Sequence, residues 1–423
     1  MRRTLLSTFV LVAGLFALPR VLLATPFVLE TVDAATIGGN NPSLAIDAAG
    51  NPHIAYQDLA NAGDLKYAKK IGGVWFIETV DGSGGNTGSF CSLALDAQGI
   101  PRIAYYDATN GDLKYASKAT GSWVLETVDF ANTVGQFCSL ALDAQGNPRI
   151  SYLDVTNLDL RYASKTGGGG WITELVDPTG NMGFYTSLAL DTQGSPHIAY
   201  QDQTNGDLRY ASKVGFSWQI EVVDPNNAGI NASLALDPSG NPRIAYVDGV
   251  ASDLKFATKN ASSWTIETVD AAFNDGTGAS LVIDAAGIPR ISYYEAPSQD
   301  LKMATKTGTW TLETVDMSGN VGNVTGIALD TQGNPRIAYT DGTNQDLKYA
   351  DSSVRLVSPL GGERWGTGTT QTVRWTGVGP VSVLLSTDGG FNSRRRAVAG
   401  TPPGRAHPSW PRTWPCPHVQ GFR

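Results

Sequence analysis

The sequence predicts an all-β fold: a seven-bladed β-propeller of four-stranded antiparallel blades, closed by its own N-terminal strand. Three observations carry this. A unit of the type "SLALDAQGIPRIAYYDATNGDLKYASKATGSWVLETVD" (92–129) recurs seven times, its leading aspartate at Asp47, Asp96, Asp143, Asp191, Asp237, Asp284 and Asp330, 46 to 49 residues apart. That is the length of one four-stranded propeller blade. The copies consist of short β-branched and aromatic runs between Gly, Asn and Pro turns, which leaves little room for helix. The seventh copy stops after three strands, and its missing ending stands at the other end of the chain as "FVLETVD" (27–33).

Taken in order, residues 1–24 read as an export signal. Arg2 and Arg3 precede the apolar run "TLLSTFVLVAGLFAL", and a small-residue exit follows at Ala24. The run is short for a bilayer span and Pro19-Arg20 interrupts it. The expected location is therefore secreted, periplasmic or at the cell surface, with no membrane span in the mature chain. Residues 25–354 form the propeller. "FVLETVD" is expected to pair beside Leu347–Ala350 and so remove the unpaired edge between the first and last blades. Within each copy, "SLALD" is the first strand and ends at a turn whose glycine recurs in all seven copies (Gly99 in the second), a position calling for positive φ. Proline opens the second strand, where no ladder donor is needed. "DATNGD" (107–112) turns the chain into "LKYASK", and the Trp-led phrase is the fourth strand.

Net charge is −8 and charged residues make up 17 % of the chain, which excludes the basic stripe of a nucleic-acid binder. Three cysteines are too few for a disulfide-built fold. Cys91 and Cys138 hold the same position in neighbouring copies. Inner strands of adjacent blades are not hydrogen-bonded and so stand apart, which favours two buried thiols, with a disulfide as the alternative.

The pattern "SLALD-x-x-G-x-P-x-I-A-Y-x-D…DLKYA" resembles the repeats of exported bacterial seven-bladed propellers and is loosely similar to the sialidase-like superfamily. It departs from the Asp-box S-x-D-x-G-x-x-W: proline follows the glycine and the tryptophan lies two strands later. Residues 355–392, with "VSPLGGERWGTGTTQTVRWTG" and "VSVLLSTDGG", resemble the opening strands of an immunoglobulin-like sandwich, which needs about seven. From 393 to 423 the chain has six Arg, six Pro and no acid, and disorder is expected.

Function has to be argued from sites, because propellers host many activities. Five repeat positions account for 35 of the 39 acids; the others are Asp275, Asp351, Glu363 and Asp388. Repeat acids read as scaffold, so no catalytic residue is assigned. His53 and His197 share a slot with arginines of other copies and read the same way. No metal-ligand spacing, nucleophile elbow or phosphate loop occurs. "DATNGD" keeps the outer acids of a calcium loop without the central one, so turn capping is preferred and Ca2+ is the alternative; no other cofactor is implied. Three acids per blade fall on one face of the ring, for example Asp107, Asp112 and Asp129, which predicts an acidic face. The other face collects Asp96 with Arg102 and Lys118.

The copies differ mainly in the segment leading into the first strand. Three successive segments carry aromatics there, Phe90, Phe137, and Phe184 with Tyr185, and a fourth carries Asp275. These five are the candidate ligand-binding residues, with inter-blade packing as the competing reading for the rings. The expectation is a monomeric, non-catalytic binding or scaffold module for a glycan or protein. The alternative is a carbohydrate-active enzyme, a hydrolase or lyase, using Asp275 or a repeat-position acid.

Overall fold

The computed structural model describes residues 27–34, 40–226, 228–271 and 275–352, with the strands Arg355–Ser358, Arg374–Thr376, Val381–Ser386 and Ser393–Val398. The export signal expected at 1–24 lies outside the described residues. Seven four-stranded antiparallel sheets follow one another along the chain. In the second, Ser89–Leu95 lines the centre of the ring, and Pro101–Asp107, Asp112–Ser117 and Val124–Asp129 follow outward. Among the described residues, no helix is long and apolar enough to cross a membrane.

The closure follows the expected register. Val28–Asp33 pairs antiparallel with Asp346–Asp351, Leu29 opposite Ala350 and Glu30 opposite Tyr349, completing the seventh blade. Phe27 stands where the other copies have tryptophan and packs against a core that includes Met303 and Val315.

The turn after each first strand is held by its aspartate. Asp96 Oδ1 accepts the backbone N–H groups of Gln98 and Ile100 at 3.0 and 2.9 Å, and its second oxygen takes Arg102 at 2.9 Å. Gly99 sits at φ 74°, where a side chain would be strained.

Between blades, one bond repeats seven times. The second-strand tyrosines Tyr56, Tyr105, Tyr152, Tyr200, Tyr246, Tyr293 and Tyr339 are fully buried. Each donates to the aspartate ending the fourth strand of the blade before it, Tyr105 to Asp81 and Tyr152 to Asp129 both at 2.7 Å. Next to it, the third-strand cation bridges two blades: Arg161 reaches Asp129 at 3.2 Å and Asp154 at 3.1 Å.

The three acids per blade do share a face, since antiparallel strands bring those ends together, but two of the three are buried and paired. Asp107 is capped by the N–H groups of Thr109 and Asn110 and stands 3.5 Å from Lys114. The acid opening the third strand, such as Asp112, is left partly exposed in every blade but the fourth, where Asp207 is buried; in the sixth Glu295 is partly exposed as well. On the other face, Lys118 turns from Asp96 to Glu78 of the preceding blade. Trp123 is half-buried, packed edge-on against Tyr67 at 5.4 Å, and is not a core ring.

Beyond the ring, Arg355–Ser358 pairs with Arg374–Thr376 in a two-stranded sheet. Val381–Ser386 pairs with Ser393–Val398, Val381 opposite Val398. Residues 393–398 thus form a strand within the tail for which composition predicts disorder. The rest of 355–423 lies outside the described residues.

Candidate functional site

At the end of the channel where the first strands begin, each inner strand carries a bulge. In the second blade Ser89 pairs with Tyr106 and Ser92 with Ala104, so Phe90 and Cys91 together oppose Tyr105. The same two-against-one step recurs at Phe137 and Cys138, and at Tyr185 and Thr186. Bulges of this kind carry a left-handed residue and re-aim a side chain.

The residue in that left-handed position differs between blades. Asn41 (φ 51°), Asn231 (φ 51°) and Gly278 (φ 66°) hold it in blades one, five and six. Asn and Gly are the types that tolerate it. At Gly278 a Cβ would meet the Asn323 carbonyl oxygen at 2.4 Å. Blades two, three and four place Phe90 (φ 53°), Phe137 (φ 53°) and Tyr185 (φ 52°) there. A bulky side chain in this region is held at a cost of about 1–2 kcal/mol. In blade seven the β-branched Val324 does not adopt the conformation.

The rings form a half-buried arc. Phe90 and Phe137 are 4.5 Å apart between centroids, Phe137 and Tyr185 4.8 Å, and Phe184 leans on Phe137 at 5.6 Å. The channel mouth encloses about 290 Å³, bordered by the arc on one side and by Asn41, Asn231 and Gly278 on the other. All four predicted rings are therefore brought together. Asp275 opens the inner strand of blade six opposite Glu295, three residues before Gly278, and its side chain lies outside the described residues.

Below the arc the wall is tied from blade to blade. Leu93 N–H donates to Ser43 Oγ at 2.9 Å, Leu140 to Ser92 at 3.0 Å and Leu188 to Ser139 at 3.0 Å. The series continues from Ser187, Ser233 and Ser280 and breaks at Gly326, where a Cβ would meet the Pro42 carbonyl oxygen at 2.9 Å. The Cys138 thiol donates to the Phe90 carbonyl at 3.0 Å and the Cys91 thiol to that of Asn41 at 3.2 Å. Both thiols are free and buried, and burial pushes Cys91 up to about 12.

Chemically, the lining offers ring faces, amides, hydroxyls and unreactive thiols; among the described residues it holds no carboxylate, imidazole or cation. The repeat acids are engaged elsewhere. Burial alone would raise the Asp81 carboxyl, but the Tyr105 hydroxyl, Lys114 and Ser83 together hold it below the usual carboxylate range. In the turns weighed for calcium, Asp107 already accepts two N–H groups on one oxygen and the Asn110 amide on the other at 2.8 Å. Among the described residues, no group of three or more His, Cys, Asp or Glu could hold a metal.

The rings were legible in the sequence, whereas the special backbone position beneath them was not. The slot two residues before the first-strand serine reads Asn, Phe, Phe, Tyr, Asn, Gly, Val through the copies. The mixture of Asn and Gly was the available signal for positive φ.

No protein-family profile matches the chain, and no curated protein matches it. Among solved structures it is similar to a polysaccharide lyase, an ulvan lyase bound to -[GlcA(1-4)Rha3S]-, with 14 % identity and a TM-score of 0.55 over 77 % of this chain and 96 % of that one. AofleA from Arthrobotrys oligospora aligns with 17 % identity and a TM-score of 0.48 over 70 % of this chain and 94 % of that one. The SapL1 lectin in complex with alpha methyl fucoside aligns with 14 % identity and a TM-score of 0.46 over 67 % and 98 %. At these identities the likeness is one of fold.

Proposed function

We propose that this chain is an exported, non-catalytic propeller that binds a glycan at the mouth of its central channel. One observation carries the reading: three successive blades keep an aromatic ring in a left-handed backbone position that blades one, five and six give to Asn or Gly. Packing alone does not ask for those rings, because Asn41 and Asn231 fill the same bulge without one. Flat ring faces with amides opposite suit the apolar C–H face and the hydroxyls of a sugar. A space of about 290 Å³ sits at the lower end of small-molecule sites, which span roughly 300–1,000 Å³, and suits a terminal sugar better than a polymer segment.

The test borrows the protein's own alternative. A Phe90→Asn, Phe137→Asn, Tyr185→Asn variant keeps the left-handed backbone and removes the arc. It is expected to fold with little change in stability and to lose binding on a glycan array. Retained binding places the site elsewhere. Turnover of labelled polysaccharides by the parent chain, abolished by a single Asp→Asn change with folding intact, would favour the enzyme.

A further inference from the structure

We infer that the channel-mouth ligand is an uncharged sugar, and that uronic, sialic and sulfated sugars are rejected. This rests on the glycan-binding reading and follows from the charge around the site.

An anionic sugar is held most strongly by a cation free to meet it, which neutral donors match only in part. The channel mouth supplies neither charge: Asn41, Ser92, Ser139, Thr186 and Asn231 are neutral groups, between three rings. Cations do exist on the same face, one per blade at the start of the third strand, but they are already held by carboxylates. Lys114 lies 3.0 Å from Asp81 and 3.5 Å from Asp107; Arg209 lies 3.3 Å from Asp177 and 2.8 Å from Asp202; Lys348 lies 2.6 Å from Asp316 and 3.7 Å from Asp341. Turning one toward a ligand would leave a buried carboxylate unpaired.

The remaining charge on that face is negative. Each blade places three acids there against one cation, and the third acid is partly exposed at Asp64, Asp112, Asp159, Asp300 and Asp346. These carboxylates give the face a negative potential that repels polyanions and is screened over a Debye length of about 8 Å in physiological salt. Neutral hydroxyls meet no such barrier, and Ser, Thr and Asn can both donate to them and accept from them.

The full chain would be tested against matched pairs of oligosaccharides: neutral hexose oligomers, and the same oligomers oxidised at C6 to uronates or O-sulfated. Binding is read by calorimetry in low and in 0.5 M salt. The expected result is binding of neutral members that changes little with salt, and a loss of about tenfold or more, about 1.4 kcal/mol, on oxidation or sulfation. Anionic members binding as well as or better than their neutral partners, with affinity falling as salt rises, would overturn this inference while leaving a glycan site in place. Binding of neither set would defeat the site itself and the inference with it. Neutral binding that survives the triple Asn variant would show that selectivity resides at another site.

Discussion

The Phe137→Asn substitution separates binding from packing most sharply, because Phe137 is the middle ring of the arc. Its φ of 53° strains a phenylalanine and suits an asparagine, so the exchange returns about 1 kcal/mol. Against that stand the ring's contacts with Phe90 at 4.5 Å and Tyr185 at 4.8 Å, together worth about 1 kcal/mol for half-exposed pairs, and its half-buried area, about 1 kcal/mol more. The net cost is about 1 kcal/mol. For a ring of this size that lowers Tm by about 2 °C. A true core change such as Ile103→Ala, at a side chain with 0 % exposure, should cost about 2–5 kcal/mol. The assay is paired: thermal unfolding by circular dichroism, and binding of whichever neutral glycan the array identifies. The expected outcome is a nearly unchanged Tm with affinity down at least about tenfold. A fall in Tm comparable to that of Ile103→Ala would refute the reasoning, since the ring would then be sealing the blades.

Tyr105→Phe removes one donor from Asp81, a carboxylate with 2 % exposure, and should cost about 1–3 kcal/mol in urea unfolding; a neutral result would mean that Lys114 and Ser83 satisfy that acid without it. Burial, then Asp107 facing it across the hairpin, raises the Asp112 carboxyl above its ordinary 3.8. A raised folded-state value favours the protonated form, so this group's stabilising contribution is present below pH 3.8 and lost as pH rises through the folded value. Asp112→Asn should therefore raise Tm at pH 7 and leave it unchanged well below pH 3.8; an equal shift at both would point to a cause other than charge. Deleting residues 25–33 should expose the edge of Asp346–Asp351 and promote aggregation, and a synthetic peptide spanning 27–33 should relieve it; a deletion variant that stays monomeric and equally stable would contradict the closure.

Much of the architecture was legible because a repeat states the same thing seven times. The period gave the blades, the turn residues gave the strand ends, and the orphaned "FVLETVD" gave the closure. What the sequence concealed lies between copies. Tyr105 and Asp81 are 24 positions apart, and Leu140 and Ser92 are 48, so no local pattern announces their bonds. For the same reason acids such as Asp107 and Asp129 read as a charged surface when they are buried partners of cations. At the site, chemistry was readable and geometry was not: Phe90, Phe137 and Tyr185 could be picked out as unusual, but their shared left-handed backbone emerges only once the bulge is seen.

The closing strand has a consequence for how the chain is made. Asp33 pairs opposite Leu347, so a strand synthesised near the beginning waits for a partner more than 300 residues downstream. At about 5–20 residues per second, that wait lasts roughly 15–60 s. Through that interval six blades can complete themselves from neighbouring sequence, while Val28–Asp33 remains an unfilled promise. A ribosome that stalls anywhere before the seventh copy releases a molecule with one strand too many and no place to seat it. Ring closure thereby depends on the seventh copy being present, because its third strand is the one that pairs with Val28–Asp33.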